Sequence, residues 1–289
     1  MPWTQIALDA PDELKDALLG ALAEFEIGGV WESGEPRPGE TRLSVYFEQP
    51  DRVEPVERAI HDFFTRLGLE PPPIARLAVD ERDWSEEWKK TYTSFPIGDN
   101  FFVVPSWRSD ECPNGRIEIH LDPGQAFGSG VHETTQMTME AMEQLAGWID
   151  ARTIVFDLGT GSGILAIAAR LLGARTVIAC DFDPIAVTVA RANALRNAQP
   201  EIGLFCGSVD GVAAESIDLM LANLTSDTIT QVFADIDRAL KPSGFVVFSG
   251  VLAHQGEDIR ALAKRFRYFT HEEIARGEWL ALVFEKHGH

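Results

Sequence analysis

At 289 residues, with 45% hydrophobic and 24% charged side chains, the chain has globular composition and material for two domains, since single cores stop growing at about 250 to 300 residues. Its 25 Lys and Arg against 45 Asp and Glu leave a net charge of −20, which repels a phosphate backbone, argues against direct nucleic-acid binding and favours a cationic protein partner. Three cysteines without Cys-x-x-Cys spacing, an N-terminus that turns acidic by Asp9, and the lack of a long apolar run predict neither disulfide framework nor metal site, neither signal peptide nor membrane span. A cytoplasmic protein is expected, with a monomer the preferred state.

Thr4 to Leu8 reads as a strand, and Asp12 to Phe25 repeats Leu14, Ala17, Leu18, Leu22 and Phe25 at helical spacing before Gly28-Gly29 stops it. Val30-Trp31 and the alternating Leu43, Val45 and Phe47 form a hairpin around the Gly/Pro-rich turn from Ser33 to Glu40. A second amphipathic helix from Val53 to Leu67 ends at Gly68, and a last strand runs from Ile74 to Val79. The order βαββαβ predicts a small α+β ferredoxin-like domain over residues 1–83. It holds 18 acidic against 8 basic residues, so half the net charge sits there.

Residues 84–100 form a connector, with Trp84 and Trp88 at i and i+4 on a short helix from Trp84 to Lys90. Paired aromatics at that spacing are read as packing that anchors the linker. From residue 101 to 289 strands follow at Phe101 to Val104 and Ile117 to Leu121. Short apolar strands then alternate with helices: strands Thr153 to Asp157, Thr176 to Asp181, Gly203 to Cys206, Ile217 to Ala222 and Phe245 to Ser249, helices near Ile164 to Leu172, Pro184 to Asn197, Ser226 to Leu240 and His254 to Phe266. That alternation predicts a doubly wound, mostly parallel α/β sheet, closed by a hairpin of Arg267 to Ala275 and Trp279 to Glu285.

The chemistry concentrates at strand ends. Asp157-Leu158-Gly159-Thr160-Gly161-Ser162-Gly163 runs from a buried strand through a glycine-rich turn into a helix, the geometry in which open α/β sheets take up nucleosides. Its Gly-x-Gly-x-Gly spacing leaves Ile164 where a dinucleotide fingerprint places its third glycine, which disfavours a pyrophosphate ligand and an NAD-dependent oxidoreductase. Asp181 ends the next strand and suits a ribose diol, a role compatible with any adenosine cofactor. Asp183 and Pro184 read as an N-cap and first helical residue. Asn223, at the end of an apolar strand, is either a turn residue or an uncharged amide poised over the ligand's reactive end. In Leu121 to Thr135, three glycines around Phe127 make a loop able to close over a ligand; Thr134 and Thr135 are expected to cap the next helix, and His132 to serve in positioning, with a general-base role the sharper alternative.

Together the Leu121–Thr135 run, the glycine turn, Asp181-Phe182-Asp183-Pro184, Ala222-Asn223-Leu224 and Ser249-Gly250-Val251-Leu252 closely resemble the PrmA family, methyltransferases of large-subunit ribosomal protein eleven. The resemblance extends over essentially the whole chain, N-terminal domain and tryptophan linker included. The chain departs from the family's usual residues at Ser129, Glu133, Thr160 and Leu224, none of which removes a required hydrogen bond. The resemblance implies a seven-stranded class I methyltransferase sheet with S-adenosylmethionine as cofactor. It places Thr135, Gly159, Asp181 and Asn223 on cofactor-binding positions, with Phe127, Gly128, Gly161 and Gly163 lining the same pocket. It further implies methylation of lysine ε-amines and of an N-terminal α-amine, with Asn223 positioning the amine and the N-terminal domain docking the ribosomal protein. A lysine methyltransferase for another protein, such as the electron-transfer flavoprotein β subunit, would share only the catalytic half; a nucleotide-binding module without catalysis would carry a damaged cofactor site, which this chain does not.

Overall fold

The computed structural model describes the chain apart from residues 1–2, 13, 16–17, 19–21, 23–24, 26, 28, 34–36, 38, 48–51, 80–88, 90–91, 125 and 289. It divides into two compact units, Met1–Tyr92 and Thr93–His289. Among the described residues no helix is long and apolar enough to cross a membrane.

In the first unit β1 (Trp3–Pro11), β2 (Gly29–Ser33), β3 (Glu40–Phe47) and β4 (Ala75–Val79) form an antiparallel sheet in the order β2-β3-β1-β4. This order places the first and third strands together at the centre, as the ferredoxin-like arrangement requires. Period-2 alternation puts Ile6, Leu8, Leu43, Val45 and Phe47 on one buried face. Helix α1 (Val53–Arg66) covers that face with Val53, Val56, Ile60 and Phe64, one stripe at helical spacing. The helix expected from Asp12 to Phe25 lies largely outside the described residues, although Leu18 and Leu22 belong to this core. The connector helix expected from Trp84 to Lys90 lies outside them except for Lys89.

The second unit opens with a small sheet, β5 (Phe95–Ile97), β6 (Phe101–Pro105) and β7 (Ile117–Leu121), in that order. Helix α2 (Glu133–Gln144) follows, and then β8 (Ile154–Leu158), α3 (Ile164–Leu171), β9 (Thr176–Asp181), α4 (Pro184–Arg196), β10 (Gly203–Cys206), β11 (Ile217–Asn223), α5 (Ser226–Ala239), β12 (Leu240–Leu252), α6 (Gly256–Arg265), β13 (Tyr268–Arg276) and β14 (Trp279–Lys286). The large sheet has the order β10-β9-β8-β11-β12-β14-β13. Five strands are parallel, and β14 is antiparallel to both β12 and β13. This is the doubly wound, mostly parallel seven-stranded sheet expected from the strand–helix alternation.

Both faces of the large sheet are buried, so the middle positions of its central strands are mostly apolar. Val155, Val177, Leu219, Leu221 and Val247 face a core shared with α2 and α3, while Phe156, Leu158, Met220, Ala222, Val246 and Phe248 face one shared with α5 and α6. Helix α3 is apolar almost all round because its residues Ile164 to Ala169 are all buried. Strand order reverses between β8 and β11, and a crevice opens at the carboxyl ends of strands at such a switch point. Two local differences from the sequence reading appear. Strand β5 is a three-residue piece around Pro96 with too little alternation to read, and Leu240, expected as the end of a helix, already pairs with Ile217 in β12.

Candidate cofactor site

A cavity of about 200 Å³ lies at the switch point. Its lining includes Phe127, Gly159, Gly161, Asp181, Phe182 and Asn223, over an apolar floor of Leu158, Leu224 and Val232. Strand β8 delivers the glycine turn, β9 ends on Asp181 and β11 ends on Asn223. Five of the eight residues singled out in the sequence therefore meet here. Thr135, Gly128 and Gly163 are not part of the lining, and each has a different geometric role.

The turn is fixed to β9, because Gly159 and Thr160 both donate their N–H to the Cys180 carbonyl at 2.9 Å. Gly161 has φ +53°, and a Cβ there would sit 2.3 Å from the Phe127 carbonyl oxygen. The Asp122–His132 loop is what lies against it. Gly163, at φ +85°, starts α3 where a Cβ would approach Ala190 of α4 to 3.0 Å, so its small size serves helix packing. The loop is bonded to the turn: Ser162 donates its N–H to the Phe127 carbonyl at 2.8 Å and its hydroxyl to the Gly128 carbonyl at 2.5 Å. Phe127 and Phe182 stand exposed at the cavity mouth.

Asp181 accepts the Gly161 N–H at Oδ2 and the Asp183 N–H at Oδ1, at 2.9 and 3.0 Å. A carboxylate has about four lone-pair sites, so roughly two remain for a diol. Asp183 caps α4 through the Ile185 N–H at 2.8 Å, with Pro184 in the first turn. Across the cavity the Asn223 amide donates Nδ2 to the buried Thr135 hydroxyl at 3.3 Å. The adjoining strand end is tied to the same helix, since Ser249 donates its hydroxyl to the Thr134 carbonyl at 3.0 Å. Thr135 thus stands behind Asn223 and orients its amide.

Thr134 and Thr135 do not cap α2, as the sequence suggested. His132 does, accepting the Thr134 N–H at Nδ1. An imidazole nitrogen can fill the acceptor role of an Asp or Ser, and here the ring is also held edge-on to Trp279 at 5.2 Å and tilted to Phe127 at 5.9 Å. With one nitrogen committed to the cap, His132 is built to position its neighbours.

Sequence reasoning passed over Asp157. It is fully buried beneath the turn, accepts the Thr160 hydroxyl at 2.6 Å and the Ala166 N–H at 3.2 Å through Oδ2, and leaves Oδ1 without a protein partner. Desolvation pushes its pKa up to about 7. The same burial, helped by the charge of Asp157, pushes the Cys180 thiol up to about 12 and keeps it neutral. The signal was present: a lone acid at the fourth position of an apolar strand, immediately before a glycine turn.

Among the described residues lining the cavity, Asp181 alone carries a charge. A cavity lined by one carboxylate and no Lys or Arg suits a cationic nucleoside and lacks the countercharge a diphosphate needs. With its exposed aromatic beside the acid and its apolar floor, the residue set fits an adenosine-linked sulfonium.

Comparison with known proteins points to one family. The model of the ribosomal protein L11 methyltransferase (PrmA) family matches residues 2–287. A ribosomal protein L11 methyltransferase from Streptococcus uberis is 38% identical over 308 residues, covering 98% of this chain and 96% of the relative. One from Caldanaerobacter subterraneus is 30% identical over 315 residues and 100% of both. Among solved structures, a ribosomal protein L11 methylase from Lactobacillus delbrueckii superposes with a TM-score of 0.63 at 31% identity, covering 68% of this chain and 100% of that one.

Proposed function

The chain belongs to the ribosomal protein L11 methyltransferase family, and from that premise we propose how its own residues carry the reaction. It is an S-adenosylmethionine-dependent protein methyltransferase acting on ribosomal protein L11. The amines it modifies are lysine ε-amines and the N-terminal α-amine, in the cytoplasm, by a monomer that makes no direct nucleic-acid contact. The bound cofactor supplies an electrophilic methyl group on a sulfonium. Asp181 accepts the ribose hydroxyls, Gly159 and Gly161 let the backbone approach, and Phe127 and Phe182 cover the mouth. Asn223, oriented by Thr135, positions the incoming amine with an uncharged amide.

Alignment carries most of the rate, because holding two reactants in near-attack geometry is worth about 7 to 11 kcal/mol. The amine must arrive neutral although a free lysine has a pKa of about 10.4. Asp181 is committed to the turn and the ribose hydroxyls, and His132 Nδ1 to its cap, so we assign neither as the base, and the proton leaves to water as the amine is desolvated. The strongest support is the juxtaposition of Asn223 and Asp181 across a cavity whose described lining residues include no cationic side chain.

Intact mass of L11 after incubation with this protein and S-adenosylmethionine tests the assignment. Mass should rise in steps of about 14 Da, and Asn223→Ala should slow the addition by about a hundredfold or more while still binding the cofactor. Addition at unchanged rate in the variant would remove Asn223 from the reaction. No addition by the wild type would remove L11.

A further inference from the structure

In a parallel pair, alternate residues of a strand turn both backbone groups to one side. Ile117, Ile119 and Leu121 face β6, so His120 and Asp122 present theirs to the free edge of β7. That edge is covered by two asparagines of α4 and its C-cap. Asn197 accepts the His120 N–H at Oδ1, 2.8 Å, and donates Nδ2 to the His120 carbonyl, 2.7 Å. Asn193 repeats the pattern at Asp122, at 3.0 and 2.9 Å. The fit comes from pitch: four residues of helix advance about 6 Å, and two residues of strand about 6.6 Å.

The two amides differ in where their second N–H goes. That of Asn197 returns to the Asn193 carbonyl of its own helix, 2.8 Å. That of Asn193 crosses to the Ser162 carbonyl in the glycine turn, also 2.8 Å. Its Oδ1 additionally accepts from Arg196 at 3.0 Å, so both donors and both lone pairs are used in a side chain with no exposure. Asn193 therefore spans the gap between the root of the Asp122–His132 loop and the turn on which the same loop rests through Phe127 and Gly128.

We propose that Asn193 is a positioning residue for cofactor binding: it holds the loop root and the glycine turn at the separation that keeps Phe127 over the cavity. The assignment rests on the cavity being the cofactor site, and Asn197 is its internal control, because it clamps the same strand edge without touching the turn.

The test compares Asn193→Asp with Asn197→Asp. Each puts a carboxylate oxygen against two carbonyls that an amide N–H formerly bonded, so both lower the melting temperature. Only Asn193→Asp should raise the Kd for S-adenosylhomocysteine by about tenfold or more, raise KM for the methyl donor while kcat at saturation stays within about twofold, and speed hydrogen exchange in peptides covering residues 122–132 and 159–163. Should that variant not fold, Asn193→Ser, neutral and short enough to admit a water, takes its place. Equal losses of melting temperature with Kd and loop exchange unchanged in both variants would reduce Asn193 to an edge clamp like Asn197. Hydrogen exchange needs no cofactor, so it decides the role of Asn193 even if the cavity takes a different ligand.

Discussion

Asp157 occupies a position where the strand pattern calls for an apolar side chain, and its burial has a measurable consequence. The folded-state pKa, about 7, lies above the unfolded value of about 3.9. Below the unfolded value the acid is neutral in both states and costs least. As pH rises through the window to about 7, the unfolded chain ionises first, so stability falls, by on the order of a few kcal/mol. Asp157→Asn should remove that component, because an amide oxygen can take the Thr160 hydroxyl and the Ala166 N–H in place of Oδ2. Urea unfolding at intervals between about pH 4 and pH 8 would show it: the wild type should lose stability relative to the variant as pH rises, and parallel curves would place the pKa of Asp157 near its unfolded value. The acid also marks a limit of sequence reading. Asp181 and Asn223 were legible because each ends an apolar strand at the ligand edge. Asp157 stands one residue short of the end of its strand, and its role depends on what lies beneath the turn, which is a tertiary fact.

The Asp122–His132 loop is an element defined by what holds it. Asn193 bonds its root, Ser162 its centre, and Gln136 its far end through the Gly130 and Val131 carbonyls at 3.2 and 2.9 Å. Arg276 in the closing hairpin bonds Gln136 at 2.9 Å and pairs with Glu140, so the last strands of the chain brace a loop read more than 120 residues earlier. The loop itself was legible from Gly124, Phe127, Gly128 and Gly130. Its anchors were not, because Asn193 and Asn197 sit in a helix whose pattern names a buried face but no partner strand. Nor was His132 legible as a cap, since side-chain preference favours the threonines that follow it. The cap can be separated from base catalysis. His132→Ala should cost about 1 kcal/mol in urea unfolding, and His132→Asn, which restores a cap acceptor, should recover most of it. kcat for His132→Asn should stay within a few-fold of wild type. A drop of about a hundredfold or more in both variants would instead make the imidazole a proton acceptor.

At the scale of the whole molecule, each of the two units has its own core, one built on Ile6, Val45 and Ile60 and the other on both faces of the large sheet. Separate cores imply separable folding. Every residue placed at the cofactor cavity lies in Thr93–His289, so cofactor binding and substrate docking should come apart as well. Residues 93–289 expressed alone should melt cooperatively and bind S-adenosylhomocysteine with a Kd within about threefold of the full chain. Methylation of L11 by the fragment should fall by at least about tenfold in kcat/KM, carried by KM, because uniform binding energy is what a docking surface supplies. The N-terminal excess of acid, 18 against 8 basic residues over 1–83, adds a second readout. Exposed charges are screened beyond about 8 Å at physiological ionic strength, so kcat/KM of the full chain should fall as salt is raised, while that of the fragment should respond less. A fragment that methylates L11 as well as the full chain would move substrate recognition into the catalytic unit. Equal salt slopes with a large KM difference would keep docking in the N-terminal unit but make it depend on shape and apolar contact instead of charge.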